Sequence, residues 1–421
     1  MAVTLLHTPD GVRDIYEKEC AKKLAVQEKV SHVFHLYGYQ DIETPTFEFF
    51  DIFSRQRGSV GSKEMFKFFD RDNNTLVLKP DVTPAIARCA AKYYMDETMP
   101  LRLCYRERTF INNTSYQGRL KEVTQTGVEL IGDDSSGSDA EVLAMVIESL
   151  KAAGLEEFQV ELGNVEFFHG LVEEAGMDEA TGEALRELIE NKNYFGVEEL
   201  IEEQPMSAEL RQLFLKLPEL FGSLEQIKLA KTLTHNERAI HAIDRLEKVH
   251  RILTTYGLAD YISYDLGMLS KYQYYTGIIF KAYTYGTGEY LVNGGRYDKL
   301  LVQFGKDAPA VGFAIVMDQL LLALSRQNIE VETHMVHTMI LYEAAAETNA
   351  VKLAAYFRQK SMPVQLIRRS SRQTLESYQN FGRQHGIDNL FYLEQDGTMI
   401  RFIQTASGDS HELSLSDYFN E

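Results

Sequence analysis

The sequence predicts an α+β fold in more than one domain, and three observations carry that prediction. Two long strand-like runs, residues 101–110 and 122–132, follow one another across a polar connection. Residues from about 167 to 258 drop the strand pattern and read as helices. Residues 335–421 run strand, helix, strand, helix, strand, strand, the order of a small α/β unit. A length of 421 residues suits two or three domains. The expected division is 1–325, with a helical insertion at about 167–258, and 335–421.

The elements follow in order. Residues 13–37 repeat apolar positions every three to four residues and stop at Gly38, the mark of one long amphipathic helix. Residues 41–46 alternate and then meet Pro45, which predicts an extended edge strand. Residues 66–69 and 76–78 flank Asp70-Arg71-Asp72-Asn73-Asn74, a hairpin turn. Pro84 suits the first turn of a helix over 85–95. Ser138-Asp139-Ala140-Glu141 matches a capping box opening a helix that runs to Gly154, and 158–162 is a short strand. After the helical stretch, strands are expected at 262–265, 277–285 and 290–292, and a helix at 310–324.

Composition excludes several classes. Apolar residues make up 44% and charged residues 25%, a globular balance, and Gly 28 with Pro 9 leaves no room for collagen-like or low-complexity chain. No apolar run reaches the roughly 18 residues of a membrane span, and the first residues lack a signal-peptide pattern, so a cytoplasmic protein is expected. Cys20, Cys89 and Cys104 form neither a CxxC pair nor an even framework. His32 and His35 lie one helical turn apart without a third ligand close in sequence; they read as ordinary helix residues, and no metal is expected. The net charge of −19 argues against a chain that wraps nucleic acid. Residues 171–206 hold eleven Asp and Glu against Arg186 and Lys192, either a solvated helical face or a surface that repels nucleic acid.

Common phosphate and nucleophile motifs are missing: there is no GxxxxGK[ST], GxSxG or HExxH, and Gly286-x-Gly288 sits in a hairpin. Arg368, Arg369 and Arg372 form one basic cluster, either an anion site or an exposed strand end. A more informative set is Asp81, Thr83, Gln125 and Glu129 with Tyr272, Tyr274 and Tyr275. Gln125 and Glu129 are four apart, so on a strand both point to one face. Carboxylates facing a core must find a cation or donors, or become neutral. Asp81 and Glu129 together suit a small cationic ligand such as an ammonium or imidazole group; alternatively, each caps local backbone.

Residues 8–325 resemble the class II histidyl-tRNA synthetase family. The resemblance rests on Thr8-Pro9-Asp10-Gly11-Val12-Arg13-Asp14, Tyr37-Gly38-Tyr39 through Thr44-Pro45, Leu78-Lys79-Pro80-Asp81-Val82-Thr83, Gly118-Arg119-Leu120-Lys121-Glu122 and Gln125-Thr126-Gly127-Val128-Glu129. It continues with Tyr274-Tyr275-Thr276-Gly277, Gly294-Gly295-Arg296-Tyr297-Asp298 and Ala310-Val311-Gly312-Phe313-Ala314-Ile315. The resemblance implies an antiparallel class II sheet with flanking helices, a helical insertion, and a C-terminal domain in the place of an anticodon-binding domain.

Departures from the pattern matter as much. Amino-acid activation builds negative charge on the ATP α-phosphate and needs fixed cations there. Lined up by motif, the arginine after Phe110 is Ile111 and the glutamate beyond it is Asn113. The Arg-Gly-Leu-Asp before the tyrosine pair is Ser270-Lys271-Tyr272-Gln273, and the closing Glu-Arg is Asp318-Gln319. Lys271, Arg106 and Arg108 are the candidate substitutes. By resemblance, the residues that would hold free histidine survive: Asp81, standing for a glutamate, and Thr83 at the amino group with Gln125 beside them, and Glu129 and Tyr275 at the imidazole, with Tyr274 adjoining.

That combination resembles the synthetase paralogues that serve as regulatory subunits of ATP phosphoribosyltransferase, the first step of histidine biosynthesis. Membership implies no catalysis and no cofactor, and a homodimer within a hetero-oligomer with the short catalytic subunit. It also implies free histidine as inhibitory effector, and no nucleic-acid or membrane partner. The alternatives are an active histidyl-tRNA synthetase and a stand-alone histidine-binding protein.

Overall fold

A computed structural model describes residues 6–54, 60–113, 119–270, 274–333, 336–394 and 397–418. Contacts divide the chain into two compact units, Met1–Ile15 with Lys22–Val331, and Tyr16–Ala21 with Glu332–Glu421.

The first unit is built on a nine-stranded sheet. Helix α1 (Glu17–Leu36) stops ahead of Gly38, as its pattern predicts. The strand expected at 41–46 is different. Only β1 (Gln40–Asp41) pairs with the main sheet; Pro45 then breaks the ladder, and β2 (Phe47–Phe49) joins a separate three-stranded sheet. Its other members are β3 (Lys67–Phe69) and β4 (Thr75–Leu78), the hairpin read from Asp70-Arg71-Asp72-Asn73-Asn74, where Asp70 accepts backbone N–H bonds from Asp72 and Asn74. Helix α2 (Thr83–Tyr93) carries Pro84 in its first turn.

The central strands β5 (Leu101–Phe110) and β6 (Glu122–Ile131) pair antiparallel along their whole length. Helix α3 (Ser136–Ala153) starts earlier than the expected capping box. Ser135, not Ser138, is the cap, its hydroxyl accepting from the Ser138 N–H, which frees Asp139 for a buried role. Strand β7 (Gln159–Asn164) leads into the helical stretch. This comprises α4 (Val165–Glu174), α5 (Glu179–Glu190), α6 (Tyr194–Glu202), α7 (Ala208–Lys216), the two-residue β8 (Phe221–Gly222), α8 (Leu224–Ala230) and α9 (Glu237–Tyr256). Its apolar faces do not form a core of their own. Phe214, Ile227, Leu246 and Leu253 belong to one continuous buried cluster with Val146 and Leu150 of α3 and Val160 and Leu162 of β7.

Strands β9 (Ile262–Asp265), β10 (Ile278–Tyr283), β11 (Val292–Arg296) and β12 (Ala310–Val316) complete the sheet, before α10 (Met317–Arg326). Two expectations change here. The strand expected at 290–292 lies over 292–296, and the expected helix 310–324 is a strand followed by a shorter helix. Residues 310–316 are buried or half-buried on both faces, so their sequence lacks the alternation that marks a half-exposed strand. The sheet order is β1-β5-β6-β12-β11-β10-β7-β9-β8, antiparallel except for β1 with β5 and β7 with β9.

The second unit holds β13 (Thr338–Tyr342), α11 (Glu347–Gln359), β14 (Val364–Arg368), α12 (Leu375–His385), β15 (Asn389–Leu393), β16 (Met399–Gln404) and β17 (Ser410–Ser414), one strand more than expected. Its sheet order is β14-β13-β15-β16-β17, with Leu353, Phe357 and Leu393 in one of its buried clusters. Within the basic cluster, Arg369 is committed to Glu343 at 2.5 Å. Among the described residues no helix is long and apolar enough to cross a membrane. His32 and His35 do not pair; His35 Nε2 lies 3.0 Å from Asp41, whose other oxygen faces the Cys104 thiol at 3.7 Å.

Candidate functional site

The site is set by strand register. On β6, Gln125, Gly127 and Glu129 share one face. Their direct cross-strand partners, Glu107, Tyr105 and Leu103 on β5 and Val316, Ala314 and Gly312 on β12, face the same way. On β11, Asn293 and Gly295 continue that face. The N-terminal turn of α2 lies across it and brings Asp81 and Thr83 over Glu129.

Glu129 is 1% exposed. Thr83 Oγ1 donates to its Oε1 at 2.7 Å, and the Tyr297 hydroxyl donates to its Oε2. Burial pushes the Glu129 carboxyl up to about 8, against the pull of those two donors and with a further push from Asp81. Asp81 accepts the Tyr274 hydroxyl at 3.1 Å and the Thr83 N–H at 3.3 Å. Asn293 Nδ2 donates to the Tyr275 hydroxyl at 3.5 Å, and the Tyr274 ring stands edge-on to Tyr275 and Tyr297, at 4.9 and 5.9 Å between centroids. Burial pushes the Tyr275 and Tyr297 phenols up as well, so they remain donors. Gln125 Oε1 is buried with no hydrogen-bond partner among the described residues.

These groups line a small cavity of about 40 Å3. Two glycines make the room. A Cβ on Gly312 would stand 1.9 Å from Glu129 Oε2, and one on Gly127 would stand 2.2 Å from the Phe313 carbonyl.

On the opposite face of the sheet, Arg296 (2% exposed) donates from Nη2 and Nε to Asp139 of α3 at 2.7 and 2.9 Å, and to Asp298 at 3.0 Å. Arg245 adds a third bond to Asp139 at 2.6 Å. Because Arg296 is pinned below the sheet, its neighbour Tyr297 turns above it and reaches Glu129.

All six sequence-predicted binding residues, Asp81, Thr83, Gln125, Glu129, Tyr274 and Tyr275, line this one pocket; Tyr272 lies outside the described residues. Sequence reasoning missed Tyr290, Asn293 and Tyr297 as lining residues, although Tyr297 stands in a motif it quotes. Its signal was the alternation Gly295, Arg296, Tyr297, visible once β11 is placed correctly.

The substituted positions lie at the edges. The Ile111 N–H donates to the Lys121 carbonyl, and Asn113 Nδ2 donates to the Leu120 carbonyl at 3.2 Å. Gln319 Nε2 donates to Glu289 at 3.4 Å, and Glu289 also meets Arg119 at 3.2 Å. Asp318 accepts the Thr124 N–H and faces Arg13 at 3.7 Å. The Ser270 carbonyl accepts from Arg186 of α5, which is held between Glu183 and Glu190. Gln273 and Lys271 lie outside the described residues. Two of the candidate substitutes point away. Arg106 and Arg108 pair across from Thr126 and Thr124, on the sheet face opposite Gln125 and Glu129, and Arg108 is bound to Glu122.

The sequence profile of the histidyl-tRNA synthetase family matches residues 11–320. The ATP phosphoribosyltransferase regulatory subunit of Acetivibrio thermocellus is 38% identical over 417 residues, 99% of both chains. The chain belongs to the ATP phosphoribosyltransferase regulatory subunits. The regulatory subunit of Clostridium novyi is 34% identical over 418 residues, covering 99% of this chain and 98% of its own. Among solved structures, one from Bacillus halodurans described as an ATP phosphoribosyltransferase regulatory subunit/histidyl-tRNA synthetase superposes with a TM-score of 0.82 at 31% identity, over 93% of this chain and 97% of that one. The histidyl-tRNA synthetase of Nostoc gives a TM-score of 0.81 at 20% identity over 98% of each chain, a likeness of fold. A regulatory subunit on the class II fold therefore gathers Asp81, Thr83, Gln125 and Glu129 around one pocket while its positions 111 and 319 carry neutral side chains.

Proposed function

We propose that this chain binds free histidine in the pocket over Glu129 and carries histidine's level to the short catalytic subunit of ATP phosphoribosyltransferase as feedback inhibition. It activates that subunit by assembly, as a homodimer within a hetero-oligomer in the cytoplasm, and performs no adenylation itself. The observation that carries the reading is the buried Glu129 carboxyl, held between Thr83 and Tyr297 and aimed into a cavity that also holds Asp81. An imidazole nitrogen pairs with Glu129 and Tyr275, and the ammonium meets Asp81, Thr83 and the unsatisfied Gln125 oxygen. A buried carboxyl raised in this way has a proton to share with a basic ring that enters the pocket.

Inhibition then follows from linkage. Histidine binds one assembled state more tightly than another, and the equilibrium moves by the ratio of the two affinities. The active-synthetase reading finds less support. Positions 111 and 319 carry no cation, Arg106 and Arg108 face away, and Glu289 sets a carboxylate beside Arg119 and Gln319.

Calorimetric titration tests the proposal. The full chain gives heat with histidine, with the catalytic subunit present if necessary, and, titrated alone, none with ATP; Glu129→Gln relieves histidine inhibition of the catalytic subunit. Histidine-dependent ATP–pyrophosphate exchange by the chain alone would overturn it in favour of the synthetase. Histidine binding with no effect on a catalytic subunit would favour a stand-alone binding protein.

A further inference from the structure

The described lining of the pocket offers acceptors and phenols but neither Lys nor Arg. Among the described residues, the nearby lysines Lys79 and Lys281 are already engaged. Lys79 is buried against Glu107 and Thr44. Lys281 stands 5.8 Å from the centre of the Tyr290 ring, where its charge is shared with Glu161 and Asp265. Resting on the proposed histidine reading, we infer that the pocket recognises an imidazole ring joined to a primary ammonium and leaves the α-carboxylate unread, so that its ligand class is imidazole-bearing amines with or without a carboxylate.

The charges support this. Asp81 sets its carboxyl at the ammonium end, and Gln125, also in the lining, has a buried side-chain oxygen with no hydrogen-bond partner among the described residues. A ligand carboxylate placed there meets like charge and acceptor oxygens, an arrangement that disfavours it unless a cation intervenes. An ammonium, in contrast, satisfies Asp81, Thr83 and Gln125 at once. Specificity comes from groups left unpaired when the wrong ligand enters, so loss of the ammonium strands several buried acceptors and loss of the carboxylate strands none.

Two mirrored probes separate these contributions. Histamine keeps ring and ammonium and lacks the carboxylate; imidazole-4-propionate keeps ring and carboxylate and lacks the ammonium. Titrated into the full chain with the catalytic subunit present, histamine is expected to bind within about tenfold of histidine, and imidazole-4-propionate at least about a hundredfold more weakly, the scale of a lost charge-assisted contact. Asp81→Asn is expected to weaken histamine far more than imidazole-4-propionate. Histamine binding more than tenfold weaker than histidine would overturn the inference while leaving the histidine reading intact. So would a Lys271→Ala substitution that weakens histidine and spares histamine, because Lys271 would then be reading the carboxylate. Failure of histidine itself to bind would remove the parent reading instead.

Discussion

Glu129→Gln isolates the cost of holding an ionisable group under α2. In the folded chain the Glu129 carboxyl titrates at about 8, against an ordinary value of 4.5. Its folded value is raised, so the stability it confers is fully present below 4.5, where both states are protonated. That stability drains away as pH rises towards 8, because the unfolded chain gives up its proton first. Each pH unit in that window removes roughly 1.4 kcal/mol, and the whole gap amounts to about 5 kcal/mol. Glutamine has the same shape and does not titrate, so the variant's stability lacks this slope. Urea denaturation followed by circular dichroism between pH 5 and 9, without ligand, measures both proteins. The variant's advantage over wild type is expected to grow by roughly 1.4 kcal/mol per pH unit up to about pH 8 and then level off. A difference between the two proteins that stays constant across the range would refute the reasoning, since it would mean Glu129 is charged in the fold at neutral pH.

The same proton links ligand binding to pH. Free imidazole titrates near 6.5 and Glu129 near 8, and the complex holds one proton between them. Histidine affinity should therefore peak between those values, with proton release on binding below the window and uptake above it, measurable by calorimetry in buffers of different ionisation heat. Gly312→Ala puts a Cβ 1.9 Å from the Glu129 oxygen. It should abolish histidine binding and cost about 1–3 kcal/mol as overpacking, which titration and denaturation read separately. Asp139→Asn leaves Arg296 and Arg245 buried or half-buried without their shared carboxylate and should cost about 3–5 kcal/mol in urea. Because Arg296 sets the turn that aims Tyr297, that variant should also weaken histidine binding.

The legible parts of the fold were those marked by turn chemistry or by polar residues set within the apolar run, as in β6, whose residues 126–131 are buried on both faces. The hairpin around Asp70-Arg71-Asp72-Asn73-Asn74 and the two central strands announce themselves by turn chemistry and hydrophobic patterning. Residues 310–316 did not, because a strand covered on both sides carries the same unbroken apolar run as a buried helix. The sequence places the cap at Ser138 and the structure at Ser135, because the two serines are three apart and spacing cannot rank them. The six expected binding residues come from family motifs, and their convergence on one pocket needs the antiparallel register of β6 with β12. Tyr297 and Asn293 were illegible for the same reason. Asn293 lies on, and Tyr297 directly follows, a strand whose start differs by two residues from the expected one, and a displaced boundary hides which side chains look into the pocket.

The helices between β7 and β9 share an apolar interior with α3 and the sheet, rather than closing over a core of their own. A lid hinged on flexible joints swings open at small cost; a segment sewn into the same close-packed mass cannot, because swinging it would tear dozens of side chains into water. A rearrangement within this region would therefore be a sliding of helices by about an ångström or two. For the same reason, an engineer who trims the segment away to make a smaller sensor should expect the remaining scaffold to unravel with it.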